Sequence, residues 1–128
     1  MNDILFVEIY VGMGKMVAWW HEYALGFNLK GIRNQTGKYG LEQTYWVQNG
    51  KANLFITCAM DPAAHDVVSF IDKHGNSIKS FAVEVEDIET YYKHLVHENA
   101  IILSNGVEWD IYKEEKCGYV RCKLFDDN

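Results

Sequence analysis

The stretch whose reading decides the fold is His74–Asp87, "HGNSIKSFAVEVED". A Gly-Asn turn is followed by an alternating run, Phe81-Ala82-Val83-Glu84-Val85, and then by Asp87 ahead of a helical pattern. Period-two alternation predicts a strand, and an aspartate before an apolar stripe predicts a helix N-cap. The chain has already written a similar strand, "FVEIYV" from Phe6, about 75 residues earlier. A near-repeat on that scale predicts two copies of one module, with the possibility of a site between them.

Working outward, Leu5–Val11 predicts a strand that Gly12 and Gly14 end. Lys15–Leu25 predicts a helix with Met16, Trp20, Tyr23 and Phe27 at helical spacing and Gly26 as a left-handed C-cap. Strands follow near 28–34, 42–48 and 52–58, the last two joined at Asn49-Gly50, a strong hairpin signal. The first module is therefore β-α-β-β-β. Asp61-Pro62 opens a connecting helix near 64–73, with Pro62 in its first turn, ended by His74-Gly75-Asn76. The second module predicts a strand near 79–86, a helix near 87–98 with Asn99 at its end, and a long strand over 100–113 bent at Asn105-Gly106. A last strand is predicted near 118–125. Trp19-Trp20 and Tyr91-Tyr92 sit at matching places on the two module helices, 72 residues apart. The whole is α+β: one domain over 1–128, with modules at about 1–60 and 77–128 joined by 61–76.

Composition narrows the function. An apolar share of 48%, rich in aromatic residues, excludes a disordered chain. No apolar run approaches a membrane span, and the opening residues show no signal peptide, which predicts a cytoplasmic protein without a membrane partner. A net charge of −6, with scattered basic residues, argues against nucleic acid. The three cysteines, Cys58, Cys117 and Cys122, have no zinc spacing and read as reduced thiols.

The paired β-α-β-β-β pattern resembles the vicinal oxygen chelate superfamily. "FVEIYVGMGKMVAWW" with "LGF", the hairpin "YWVQNGKANLFIT" and above all "HGNSIKSFAVEVED" are similar to the N-terminal domain of 4-hydroxyphenylpyruvate dioxygenases and hydroxymandelate synthases. In that family a C-terminal catalytic domain holds Fe(II) with two His and one Glu, so the resemblance implies a 2-oxo acid-dependent oxygenase of tyrosine catabolism. This chain would then be its iron-free, supporting N-terminal domain. The resemblance also implies one further strand after "YVRCKLFDDN", so the chain reads as an N-terminal domain or as a relative shortened at its end.

By alignment with metal-bearing modules, the ligand positions fall on Phe6, Phe55 and Ser80, none a ligand for iron. His21, His94 and His97 fall on helices, His65 and His74 around the connecting helix. No catalytic residue is assigned. Glu8 and Glu84, mid-strand at corresponding places in the two modules, are the remaining metal or paired-carboxylate candidates, although a solvent-facing strand position accounts for them equally. Trp19, Trp20, Tyr91 and Tyr92 are the binding or interface candidates, with core packing as the plainer reading. Expected partners are the C-terminal domain of the same protein and a second copy, giving a homodimer. The alternative is a free-standing, metal-free binding protein of the bleomycin-resistance type.

Overall fold

The computed structural model describes residues 4–36, 41–98, 100, 102–103, 108–112, 115–119 and 122. It divides into two compact units, Met1–Glu84 and Val85–Asn128. The predicted modules would break earlier, near residue 76. β5 falls in the first unit because it is hydrogen-bonded to β1.

In the first unit the elements run β1 (Ile4–Tyr10), α1 (Gly14–Leu25), β2 (Asn28–Thr36), β3 (Leu41–Asn49), β4 (Ala52–Ala59), α2 (His65–His74) and β5 (Ser77–Val83). The five strands form one sheet in the order β2-β3-β4-β1-β5. β1 is parallel to β4 and antiparallel to β5, so the first strands of the two predicted modules lie side by side. The "FVEIYV" echo in "FAVEV" is thus two neighbouring strands of one sheet.

Local chemistry explains most boundaries. Gly26 takes a left-handed φ of 73° and stops α1, and Gly50 at φ 59° turns the β3–β4 hairpin that Asn49 and Ala52 close. α2 begins three residues after Pro62, later than predicted. The Asp61 carboxylate accepts from the Ala63 amide at 2.8 Å and the Asp61 carbonyl from the Ala64 amide at 3.0 Å, so a turn precedes the helix. Gly75, at φ 72°, ends it. β5 ends at Val83, short of the predicted Glu86; Val83 pairs with Ile4, the first described residue.

One face of this sheet is the core. Val11, Tyr45, Val47, Ile56 and Cys58 pack with Ala18 of α1, flanked by Ile9, Val17, Phe27 and Leu54. α1 lies close because its inner positions are small. A Cβ on Gly14 would sit 2.7 Å from Cys58 Sγ and 3.2 Å from a Tyr45 ring carbon. His21, also half-buried, donates from Nδ1 to the Val17 carbonyl at 2.7 Å and sets its ring edge-on to Phe27.

The second unit holds α3 (Ile88–His97), β6 (Glu108–Tyr112) and β7 (Glu115–Tyr119). Asp87 caps α3 as predicted, accepting from the Glu89 and Thr90 amides and from the Thr90 hydroxyl at 2.8 Å. β6 and β7 pair antiparallel from Glu108↔Tyr119 to Tyr112↔Glu115, with a separate bridge at Ile102↔Cys122. Within the predicted strand over 100–113 the described residues show the Ile102 bridge and β6, and the partner strand begins at 115 rather than 118. Pairing across a two-residue connection fixes that start. Asn99, Asn105-Gly106 and residues 123–128 lie outside the described residues.

Candidate functional site

Strand alternation leaves a second face on the five-stranded sheet. Cross-strand partners share a face, so Phe6, Glu8 and Tyr10 of β1 stand with Asn53, Phe55 and Thr57 of β4. Glu42, Thr44, Trp46 and Gln48 of β3, and Gly31 and Arg33 of β2, continue the row. In contrast to the core face, this one combines polar and aromatic groups.

Glu8 is its centre. Thr57 Oγ1 donates to Glu8 Oε2 at 3.0 Å, and Ser80 Oγ reaches Glu8 Oε1 at 3.5 Å. Thr44 and Thr57 hydroxyls lie 2.8 Å apart. With the Thr57 proton committed to Glu8, Thr44 is the donor in that contact. The result is a directed chain, Thr44 to Thr57 to Glu8, between side chains buried at 3% and 1% exposure for the two threonines. Burial pushes the Glu8 carboxyl above its ordinary range, against the Thr57 hydrogen bond, the Arg33 charge and the Ser80 contact. Burial and then the nearby Asp66 charge likewise raise Glu42, and burial with the Glu8 charge raises Tyr10.

Aromatic rings flank the chain. Phe6 and Phe55 meet edge to face at 4.9 Å, and Trp46 stacks on Phe55 at 6.0 Å. The Trp46 indole donates to Asn53 Oδ1 at 2.9 Å, an oxygen shared with Gln48, while Asn53 Nδ2 reaches the Leu5 carbonyl. Gly31, Ile32, Arg33, Thr44, Trp46 and Phe55 enclose an open hollow of about 200 Å³. At the far end, Tyr10 packs edge-on against Phe70 of α2, and the Lys79 ammonium lies 5.7 and 5.4 Å from those two rings.

The predicted ligand positions do come together. Glu8 is paired with Ser80 on one side and Phe55 on the other, and Phe6 lies one turn of the pleat away. Two phenyl rings and a hydroxyl do not fit a ferrous ion, which takes imidazole and carboxylate. Among the described residues no three His, Cys, Asp or Glu side chains gather in a way that could hold a metal ion. Glu8 and Glu84 are not brought together. β1 and β5 are antiparallel, so corresponding places in the two strands diverge from the crossing near Phe6–Ala82. Glu84 follows the end of β5, exposed and four residues beyond Ser80. Trp19 and Trp20 are more than half exposed on α1, and Tyr91 is 45% exposed while Tyr92 is half-buried on α3. The hydroxyl chain and the Arg33–Trp46 hollow escaped sequence reading. The alternation of Thr44, Trp46 and Asn53, Phe55, Thr57 across the Asn49-Gly50 hairpin was the signal that would have found them.

No model of a known protein family matches the chain. It is 28% identical over 104 residues to 4-hydroxyphenylpyruvate dioxygenase of Yarrowia lipolytica, covering 77% of this chain and 26% of that enzyme. A variant of 4-hydroxymandelate synthase from Streptomyces coelicolor superposes with a TM-score of 0.83 at 21% identity, over 97% of this chain and 36% of that one. A hypothetical protein of Bacillus halodurans matches at 0.74 and 15% identity over 99% of both chains. Methylmalonyl-CoA epimerase of Mycobacterium tuberculosis matches at 0.68 and 16%, over 92% of this chain and 77% of that one. The chain thus spans 26% of the dioxygenase and 36% of the synthase that it matches. No helix among the described residues is long and apolar enough to cross a membrane. Sheet, helices and similarity agree: this chain carries the α+β fold of the vicinal oxygen chelate superfamily and is similar to part of a 4-hydroxyphenylpyruvate dioxygenase.

Proposed function

We propose that this chain serves as the iron-free N-terminal domain of an enzyme like 4-hydroxyphenylpyruvate dioxygenase or hydroxymandelate synthase, supporting a catalytic partner domain and the oligomer. The similarity to a dioxygenase and a synthase supports the parent chemistry, a 2-oxo acid-dependent Fe(II) oxygenase in tyrosine catabolism or a related pathway. The observation that carries the iron-free reading is the cluster at the strand centre, where the positions beside Glu8 hold Phe6, Phe55 and Ser80. Ferrous titration of purified protein, followed by isothermal calorimetry, tests it. The expected result is no stoichiometric iron and no binding at micromolar concentration; tight one-to-one iron would overturn it.

A second reading, a free-standing metal-free binding protein, has its own support. The hollow beside Trp46 and Phe55 is an aromatic-walled recess lined also by Thr44. A ligand screen read on the Trp46 indole resonance decides it. A saturable shift with a small aromatic cation at submillimolar concentration would favour this reading, and no shift would remove it.

A further inference from the structure

α1 is apolar on both sides, and only one side has a partner within its unit. Its inner face is small: Gly14 and Ala18 are buried, with Val17 and His21 half-buried against the sheet. Its outer face carries the large residues. Met13, Met16, Trp19, Trp20 and Tyr23 are 60, 62, 56, 53 and 75% exposed. Met16, Trp19, Trp20 and Tyr23 fall at i, i+3, i+4 and i+7, one stripe of a helix. Trp19 and Tyr23 are already stacked, rings 5.0 Å apart and 6° from parallel, which makes a flat, preformed platform. An exposed apolar patch with a polar flank of this kind marks an interaction site.

We propose that this stripe is a self-association surface, on which α1 of a second copy packs antiparallel about a two-fold axis passing between Trp19 and Trp20. Three features select that occupant. The stripe is symmetric in position and apolar throughout, so a two-fold at that point brings Met16 level with the partner's Tyr23 and Trp19 level with the partner's Trp20. The charges on its flank are complementary under the same operation. Lys15 and Glu22 lie on one flank, seven residues apart, and the two-fold keeps that flank on one side while reversing its direction. Each lysine then comes beside a glutamate of the other copy, whereas a parallel pair would put the two flanks on opposite sides and form no such contact. The area is of the right order: five such residues expose roughly 600 Å² per copy, so their full burial in the pair would reach about 1,200 Å², the lower bound for a specific interface. This gives a surface to the oligomerisation role proposed above. It stands on α1 alone, so a monomer would refute the surface and leave the iron-free reading to its own titration.

Sedimentation velocity of the full chain over a dilution series, with three sets of variants, tests it. The wild type is expected to run at twice 14.8 kDa at high concentration and to dissociate on dilution. Trp20→Glu, on an exposed position, should keep the wild-type circular dichroism spectrum and weaken the dimer by at least about 100-fold, as loss of a central interface tryptophan does. Lys15→Glu and Glu22→Lys should each weaken it by roughly three- to tenfold, and the double exchange should restore it, because the rim pairs reform with reversed sign. A wild type that is monomeric up to about 100 μM, where an interface of this size should hold, overturns the proposal in favour of the catalytic domain as the occupant. A dimer indifferent to Trp20→Glu, or a double exchange weaker than either single one, overturns it too.

Discussion

Glu8 stands in the sheet where a hydrophobic residue would pack more easily. Its carboxyl is raised by burial, so the folded state holds its proton to higher pH than the unfolded chain does. The unfolded state therefore binds fewer protons in that window, and stability contributed at this position falls as pH rises above the ordinary value of 4.5. Replacing Glu8 with Gln, which still accepts from Thr57, should raise the melting temperature at pH 7 and have little effect near pH 4; thermal scans across pH 4–8 check this. Thr57→Val removes the donor to Glu8 and the acceptor for Thr44 together. In a site this buried it should cost about 1–3 kcal/mol in urea unfolding at pH 7. A cost near zero would mean that the hydroxyl chain does not hold Glu8.

Among the elements, α1 shows how far a sequence pattern reaches. The spacing of Met16, Trp20 and Tyr23 correctly gives a helix, but those residues turned out to lie outward, because the sheet accepts only Gly14 and Ala18 at its closest approach. Gly14→Ala follows directly: its Cβ would press on Cys58 at 2.7 Å. Overpacking should outweigh the gain in helix propensity and cost a net ~1–2 kcal/mol by chemical denaturation. Cys58→Ala in the same chain removes the sulfur and should recover part of that loss, a coupling that only contact between the two sites produces. At the hairpins the outcome differed by element. Asn49-Gly50 fixed β3 and β4 at once, whereas the β6–β7 turn has no glycine signal in "YKEEK", and the strand start was misplaced by three residues.

At the scale of the whole molecule, protection should follow the sheet of the first unit. Val47 and Ile56, both 0% exposed on strands with neighbours on each side, should carry the slowest-exchanging amides, and the edge strands β2 and β5 faster ones. Native-state hydrogen exchange read by NMR checks the order; fastest exchange in β4 would contradict the sheet arrangement.

What the sequence determined by itself was local. Gly26, Gly50, Gly75 and Asp87 each need one backbone state or one capping bond, and those needs are written in single residues. The repeat of "FVEIYV" in "SFAVEV" and the family motifs sufficed for the fold class, because period-two alternation and a module-length echo survive without knowing any partner strand. Tertiary structure alone decided which positions meet. The antiparallel join of β1 to β5 put Ser80 rather than Glu84 beside Glu8, and the β3–β4 register aligned Thr44 with Thr57. The packing distance of α1 turned its tryptophans outward. Each of these depends on pairing register and approach distance between segments far apart in the chain, and no local pattern encodes either.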